Sequence, residues 1–121
     1  MSTVNLTAEK FEQTVRENEI VLLDFWAAWC GPCRMFGPIF EQTSTKHPDI
    51  VFGKIDTEAE QTLAAQAGIT SIPTLMVIRD GVLVFSQPGA LPAAALEDLI
   101  SQVRALDMES VKADIMAKQN A

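Results

Sequence analysis

Residues 25 to 36 read FWAAWCGPCRMF and contain both cysteines of the chain, Cys30 and Cys33. An apolar run rich in β-forming residues, Ile20 to Trp26, leads into them, and Pro32 stands where the first turn of a helix would begin. The stretch therefore predicts a buried central strand that passes directly into a helix, with the two thiols at the junction. Strands that alternate with helices are typical of α/β folds.

The rest of the chain continues this alternation. Thr7 is the expected N-cap of a first helix that follows a short strand, and Ile50 to Asp56 is typical of a second buried strand. A third helix is expected over residues 58–67, the Asp80–Gly81 pair indicates a β-hairpin, and a last helix begins at Pro92. This order predicts an α/β fold with a central mixed β-sheet, a parallel core plus an antiparallel hairpin, and helices on both faces.

The C-terminal segment follows the pattern less clearly. Met108, Val111 and Ile115 would line a short amphipathic helix, but polar residues dominate the segment. We assign residues 1–107 to one domain and residues 108–121 to an extension, either a short helix or a frayed tail.

Composition and charge narrow the classes of partner. A chain of 121 residues with 48% hydrophobic residues fits one compact domain. Its formal net charge of -7, from 9 basic and 16 acidic residues, disfavours nucleic acid and anionic membranes, which need clustered Lys and Arg. The first residues, MSTVNLTAEK, lack a basic segment followed by an apolar one, so we expect a cytoplasmic protein.

The CxxC pair is the candidate reactive centre. Disulfides in a reducing cytosol are more often catalytic than structural. Cys30 would lie at the start of a helix of about residues 31–47, where unpaired N–H groups and the helix dipole lower the pKa of a thiol. We expect Cys30 to be the attacking nucleophile and Cys33, one turn further on, the resolving thiol. Gly31 and Pro32 would hold the two sulfurs within range.

Two other interpretations of the cysteines remain open. A structural disulfide that closes such a short loop would stabilise the fold by only about 2 kcal/mol in the chain-entropy view. A zinc site usually has four ligands, but the chain offers two cysteines and a single histidine, His47, at the far end of the helix. We expect no metal.

Asp24 is the one charged residue in the predicted central strand. Burial disfavours an ionised carboxylate, so the pKa of Asp24 should rise towards neutrality, which suits a proton carrier. A carboxylate satisfied by hydrogen bonds is the structural alternative. Near the cysteines, Met35 and Phe36 are expected in the core, and Pro38 should kink the helix without ending it.

The stretch VLLDFWAAWCGPCRMFGP, with SIPT and PGAL downstream, resembles the thioredoxin family from about Val4 to Leu106. The resemblance implies the thioredoxin fold and a dithiol protein-disulfide reductase that acts through a mixed disulfide. It implies that Cys30 and Cys33 form a redox-active pair and that the protein binds no cofactor. It also implies disulfide-containing client proteins and recycling by a thioredoxin reductase that uses NADPH and flavin. A monomer is the default for such a small carrier.

The resemblance also assigns roles to other residues. Asp24 matches an aspartate behind the second cysteine that helps to deprotonate Cys33, and Lys54 matches a lysine near it, although a solvated lysine is an equal alternative. A cis peptide between Ile72 and Pro73 is implied, with the Ile72 backbone pairing to an extended client.

Two further matches concern client contact. Gly89 corresponds to a glycine that leaves room for the client backbone, and Trp29 is expected in an exposed apolar contact surface with the cis-proline loop. The chain departs from the usual family pattern at Arg34, Ala28 and Pro88, which would tune the choice of client or reductase.

Other functions for the same fold remain open. A disulfide oxidase or isomerase is the alternative within redox enzymes, although the Gly-Pro dipeptide resembles the reducing branch. A binding scaffold in which redox chemistry is incidental is the alternative from another class.

Overall fold

A computed structural model describes residues 2–120 of the chain. The elements run in the order β1 (Thr3–Asn5), α1 (Ala8–Glu17), β2 (Ile20–Trp26), α2 (Gly31–Ser44), β3 (Val51–Asp56), α3 (Gln61–Gln66), β4 (Thr74–Arg79), β5 (Val82–Pro88), α4 (Ala93–Ala105) and α5 (Met108–Gln119). No helix within residues 2–120 is long and apolar enough to cross a membrane.

The five strands form one sheet in the order β1-β3-β2-β4-β5. Strands β1, β3 and β2 are parallel, whereas β4 is antiparallel to both β2 and β5. This arrangement confirms the predicted mixed sheet with a parallel core and an added hairpin. The Asp80–Gly81 turn of the hairpin has positive φ at both residues, as its Asp-Gly sequence predicts.

Strand β2 is buried along both faces because helices cover the sheet on each side. Alternate residues of β2 point to opposite faces, with Leu22 in one cluster and Leu23 in the other. The first cluster packs under α2 and α4; it includes Ile20, Leu22, Phe36, Phe40, Phe52, Leu75, Val77, Leu96 and Ile100. The second packs under α1 and α3; it includes Leu6, Val21, Leu23, Phe25, Ile55, Leu63 and Met76.

Helix α1 begins as predicted, but its N-terminus is capped by the side chain of a residue distant in sequence. Thr7 occupies the N-cap position without a side-chain capping bond. The N–H of Ala8 instead donates to Oε1 of Glu60 at 2.8 Å. A carboxylate at this position complements the positive end of the helix dipole and ties α1 to the residue before α3.

Helices α2 and α3 are shorter than the sequence predicts. Helix α2 ends at Ser44 rather than near His47 because Ser44 and Thr45 turn their hydroxyls onto carbonyl groups of the last turn. Helix α3 begins only at Gln61, since Oδ1 of Asp56 accepts the N–H groups of Glu58 and Ala59 and holds these residues in a turn.

The segment after α4 forms helix α5. The side chain of Asp107 accepts the N–H groups of Glu109 and Ser110, and Met108 is buried. Lys112 pairs with Asp80 of the hairpin at 3.7 Å. The division into residues 1–107 and 108–121 stays a prediction, and its residues 1 and 121 lie outside the described part of the chain.

Candidate active site

Cys30 and Cys33 form a disulfide at the start of α2. Their Cα atoms are 5.2 Å apart, and Cys30 is the N-cap of the helix. The Sγ atom of Cys30 accepts the backbone N–H of Cys33 at 3.2 Å. Because this N–H belongs to the unpaired first turn, the same contact would stabilise a thiolate on Cys30 after reduction.

Little of either cysteine reaches solvent in this oxidised state, since each is 4% exposed. Gly31 and Pro32, which separate them, are exposed, and Trp29 beside them is 67% exposed. A molecule that approaches the disulfide from solvent would therefore meet the tryptophan and the Gly-Pro turn before it reached the sulfur atoms.

The cis-proline loop lies against the disulfide. The peptide between Ile72 and Pro73 is cis, and the Ile72 carbonyl oxygen is 3.6 Å from Sγ of Cys30. The N–H of Gly89 donates to the Pro73 carbonyl oxygen at 2.7 Å. The structure thus brings together three segments that are far apart in sequence: the CxxC turn, the SIPT loop and the PGAL loop.

Gly89 has a backbone reason to be glycine. Its φ is 103°, a conformation that L side chains rarely adopt, and a Cβ at this position would have open space around it. The structure explains the residue by backbone geometry, and the role predicted for it in accommodating a client stays a prediction.

Asp24 lies in the middle of β2 with no solvent exposure. Neither of its carboxylate oxygens has a hydrogen-bond partner within the described residues. Burial raises the pKa of Asp24 to about 7, and the positive charge of Lys54 opposes this rise. No residue among 2–120 supplies the hydrogen bonds that the structural alternative requires, and a pKa near neutral suits a group that takes up and releases a proton.

Asp24 and Cys33 line one cavity of about 350 Å³. Lys54 reaches the same cavity and places its Nζ 5.1 Å from the centre of the Trp26 ring. A cavity of this size has room for water, and the side chains of Asp24 and Lys54 offer it polar partners. Water there could connect the carboxylate of Asp24 to the sulfur of Cys33, as the proton-carrier interpretation requires.

Two acidic residues at the site were missed by the sequence analysis. Glu41 of α2 lines the cavity that contains Asp24. Glu58 of the β3–α3 loop accepts the indole N–H of Trp29 at 2.7 Å and fixes the exposed ring. Neither residue belongs to a recognisable motif. The sequence signal for Glu41 was only its position two helical turns after Cys33.

The prediction that Met35 lies in the core is wrong. Met35 is 72% exposed, whereas Phe36 is fully buried. Cys33, Phe36 and Phe40 are spaced three and four residues apart and share the inner face of α2. Met35 falls outside this spacing, so its thioether adds to the exposed apolar surface beside the cysteines. Pro38 lies within α2 without ending it, as expected.

His47 is remote from the thiols and engaged elsewhere. Its Nε2 lies 2.9 Å from Oε2 of Glu97, and its Nδ1 lies 3.0 Å from Nη2 of Arg104. Residues 2–120 contain no group of three His, Cys, Asp or Glu side chains placed to hold a metal ion.

A family model for thioredoxin matches residues 2–102. The chain is also 58% identical over 118 residues to a protein of Streptomyces coelicolor named Putative thioredoxin 2, covering 98% of this chain and 88% of that one. The chain belongs to the thioredoxin family. Thioredoxin of Bacillus subtilis is 39% identical over 103 residues, which cover 84% of this chain and 98% of that protein.

Solved structures of the family share the fold. A mutant thioredoxin from Halobacterium salinarum superposes with a TM-score of 0.80 at 33% identity and covers 87% of this chain and 93% of its own. Mitochondrial thioredoxin 3 of Saccharomyces cerevisiae in its oxidised form gives a TM-score of 0.76 at 32% identity, covering 84% and 95%. Members of the family are disulfide oxidoreductases that carry no bound cofactor, and their redox-active group is the cysteine pair.

Proposed function

We propose that this chain reduces disulfide bonds of client proteins and is itself reduced by a thioredoxin reductase, which draws electrons from NADPH through flavin. The observation that carries the proposal is the disulfide between Cys30 and Cys33 at the start of α2, beside the cis Ile72–Pro73 peptide. Two sulfurs held at a helix N-terminus and flanked by a free backbone edge are suited to thiol–disulfide exchange with an extended segment.

The first step uses Cys30. In the dithiol form, its thiolate attacks one sulfur of the client disulfide, a new S–S bond forms between Cys30 and the client, and the other client sulfur leaves as a thiolate. The N–H of Cys33 that donates to Cys30 Sγ supports this role, because it lowers the free energy of the thiolate before attack.

The second step uses Cys33 and Asp24. The Cys33 thiol gives its proton to Asp24 through cavity water, and its thiolate attacks the Cys30 sulfur of the mixed disulfide. The Cys30–Cys33 bond forms, the client sulfur leaves as a thiolate, and two electrons have passed to the client. The unpartnered oxygens of Asp24 and its pKa of about 7 support this assignment. Lys54 would stabilise the ionised form of Asp24 between turnovers.

Client binding would use the surface around the disulfide. The half-buried Ile72 offers its backbone to an extended client, while the exposed Trp29 provides an apolar contact that tolerates many sequences. Gly89 keeps the PGAL loop free of a side chain beside Pro73. A monomer leaves this surface accessible, and we retain the monomeric state as part of the proposal.

A reducing compartment suits this direction of electron flow. The dithiol persists where thiols are kept reduced, as in the cytoplasm, and the Gly31–Pro32 dipeptide resembles that of reducing members of the family. We therefore propose a cytoplasmic location. We also propose that residues 1–107 carry the activity and that residues 108–121 are an extension, so a chain that ends at residue 107 should retain disulfide reduction.

The proposal is tested by NADPH oxidation with a thioredoxin reductase from the same cell and insulin as the disulfide substrate. Wild type should turn over, whereas Cys33→Ser should accumulate as a mixed disulfide that mass spectrometry detects. Cys30→Ser is the control that forms no such adduct. A dithiol that the reductase does not reduce, or full activity of Cys33→Ser, would contradict the proposed function and favour an oxidase or a scaffold.

A further inference from the structure

The cavity beside Cys33 contains an acidic side chain that the proposed mechanism does not use. Glu41 lies on α2 and lines this cavity together with Asp24 and Lys54. It is half-buried, and Oγ1 of Thr3 in β1 donates to its Oε2 at 3.1 Å. The hydrogen bond from the neighbouring strand holds the carboxylate at the wall of the cavity instead of leaving it free in solvent.

Lys54 lies towards the helix that carries Glu41. A Cβ built on Gly37 would be 3.8 Å from the Lys54 Nζ, so the ammonium group lies against α2 at that residue. Gly37 and Glu41 are four residues apart and therefore share one face of the helix. No ion pair among residues 2–120 includes Lys54, but its positive charge opposes the rise in the pKa of Asp24.

The charged and titratable groups around this cavity come from three elements. Strand β2 contributes Asp24, strand β3 contributes Lys54, and helix α2 contributes Cys33, Arg34 and Glu41. Two carboxylates thus line the cavity with Lys54: Asp24 is fully buried and unpartnered, and Glu41 is held by a hydroxyl.

We propose that Glu41 is a positioning residue that sets the pH range in which Asp24 carries a proton, by drawing the positive charge of Lys54 towards α2. The inference deepens the proposed function and rests on it for its catalytic meaning. With Glu41 ionised, Lys54 favours the charged form of Asp24 less strongly, and the second negative charge also opposes ionisation of Asp24. Asp24 then ionises only near neutral pH, and its carboxylate, which accepts the proton of Cys33, is a stronger base than an ordinary aspartate.

The direct test is an NMR titration of the Asp24 carboxyl carbon in the oxidised protein without a client. Glu41→Gln should move the titration midpoint of Asp24 to lower pH by about half a pH unit, as expected for a charge acting through a partly hydrated cavity. Thr3→Val, which releases the carboxylate but keeps its charge, should move the midpoint in the same direction by less. Thr3→Val also tests the inference if Glu41→Gln folds poorly.

The matched control is Glu12→Gln, because Glu12 lies on α1, across the sheet, with 86% of its side chain exposed. It should leave the Asp24 midpoint unchanged. In a Lys54→Met background, Glu41→Gln should move the titration midpoint of Asp24 by less, since the positive charge of Lys54 on which Glu41 acts is then missing. An unchanged midpoint in Glu41→Gln, or an equal shift in Glu12→Gln, would overturn the inference.

Insulin reduction as a function of pH separates this inference from the proposed function. The acidic limb of kcat/KM should move to lower pH in Glu41→Gln by the same amount as the NMR midpoint. If Asp24→Asn left the pH profile unchanged, the proton-transfer role of Asp24 would be wrong. The NMR titration would still decide whether Glu41 controls Asp24, because it needs no turnover.

Discussion

Asp24 on β2 lies directly opposite Lys54 on β3 in the parallel register, yet the two side chains do not form an ion pair. The ammonium group instead packs over the Trp26 ring. A buried carboxylate is thus left with an opposite charge nearby but no direct partner. Ionisation of such a group lowers the free energy of unfolding, so the penalty can be measured as a function of pH.

Asp24→Asn should stabilise the oxidised protein at alkaline pH. The pKa of about 7 in the fold is above the ordinary 3.8, so stability falls as pH rises from about 4 to about 7. The variant removes this penalty. We expect a gain of up to about 4 kcal/mol at pH 8 and almost none at pH 4, measured by urea unfolding.

Asp49→Asn provides a control of opposite sign. Its bidentate contact with Arg104, at 2.7 and 3.0 Å, holds the pKa of Asp49 at about 2, below its ordinary value. Asp49 therefore stabilises the fold above pH 4, and that stability is lost as pH falls through about 2. Asp49→Asn should weaken the protein at pH 8. A loss of stability in Asp24→Asn at the same pH would refute the desolvation argument.

The contrast between these residues shows what sequence can predict. Asp24 was identified because it interrupts an apolar run, and Cys30 and Cys33 because their spacing and the adjacent Pro32 are local features. Burial of a strand and the start of a helix depend mostly on neighbouring residues, so the mixed sheet was predicted correctly.

Contacts between distant elements escaped the sequence analysis. The hydrogen bond from Thr3 to Glu41 joins residues 38 positions apart, and that from Trp29 to Glu58 joins residues 29 apart. No spacing rule applies over such separations, because the strand order and helix packing decide which side chains meet. Met35 was misplaced for a related reason, since its hydrophobicity was given more weight than the helical spacing of Phe36 and Phe40.

Glu58→Leu should impair client binding more than Glu58→Gln. The Trp29 indole donates to Oε1 of Glu58, and a glutamine keeps a carbonyl oxygen as acceptor, whereas leucine does not. Since the ring is 67% exposed, the lost bond frees it to rotate, and ordering it on binding costs free energy. We expect KM for insulin to rise about threefold in Glu58→Leu with kcat nearly unchanged, which corresponds to about 0.7 kcal/mol and lies within the range for one hydrogen bond.

Trp29→Phe separates the hydrogen bond from the apolar contact. It keeps a ring but has no N–H to donate, so it should resemble Glu58→Leu, and the double variant should be no worse than either single variant. Additive effects of the two substitutions on KM would show that Glu58 acts on clients independently of Trp29.

Gly89→Ala should weaken folding through the backbone rather than through crowding. The residue has a φ of 103°, and the space around a Cβ is open, so the strain comes from the left-handed conformation alone. We expect a loss of about 1 to 3 kcal/mol in urea unfolding. Gly31→Ala is the matched control, because Gly31 also has open space at its Cβ position but no positive φ. Equal losses in the two variants would contradict the conformational explanation.

Arg79→Met should loosen α4 and α5 without a direct effect on the thiols. The Nη1 of Arg79, at the end of β4, donates to the carbonyl oxygens of Val103 at 2.6 Å and Leu106 at 2.9 Å. These carbonyls end α4 and lead into α5, so their loss of a charged donor should cost about 2 kcal/mol in the free energy of unfolding.

Hydrogen exchange should show where the Arg79→Met effect falls. Amides of the last turn of α4 and of α5 should exchange faster, whereas those of β2 and β3 should change only as far as global stability falls. Arg16→Met is the control, because the ion pair of Arg16 within residues 2–120 is an exposed one with Glu12 at 3.8 Å. Reduction of insulin should remain at the wild-type rate in both variants, since no part of this hydrogen-bonded cluster lines the cavity beside Cys33. A selective loss of disulfide reduction in Arg79→Met would instead link the C-terminal helices to the catalytic surface.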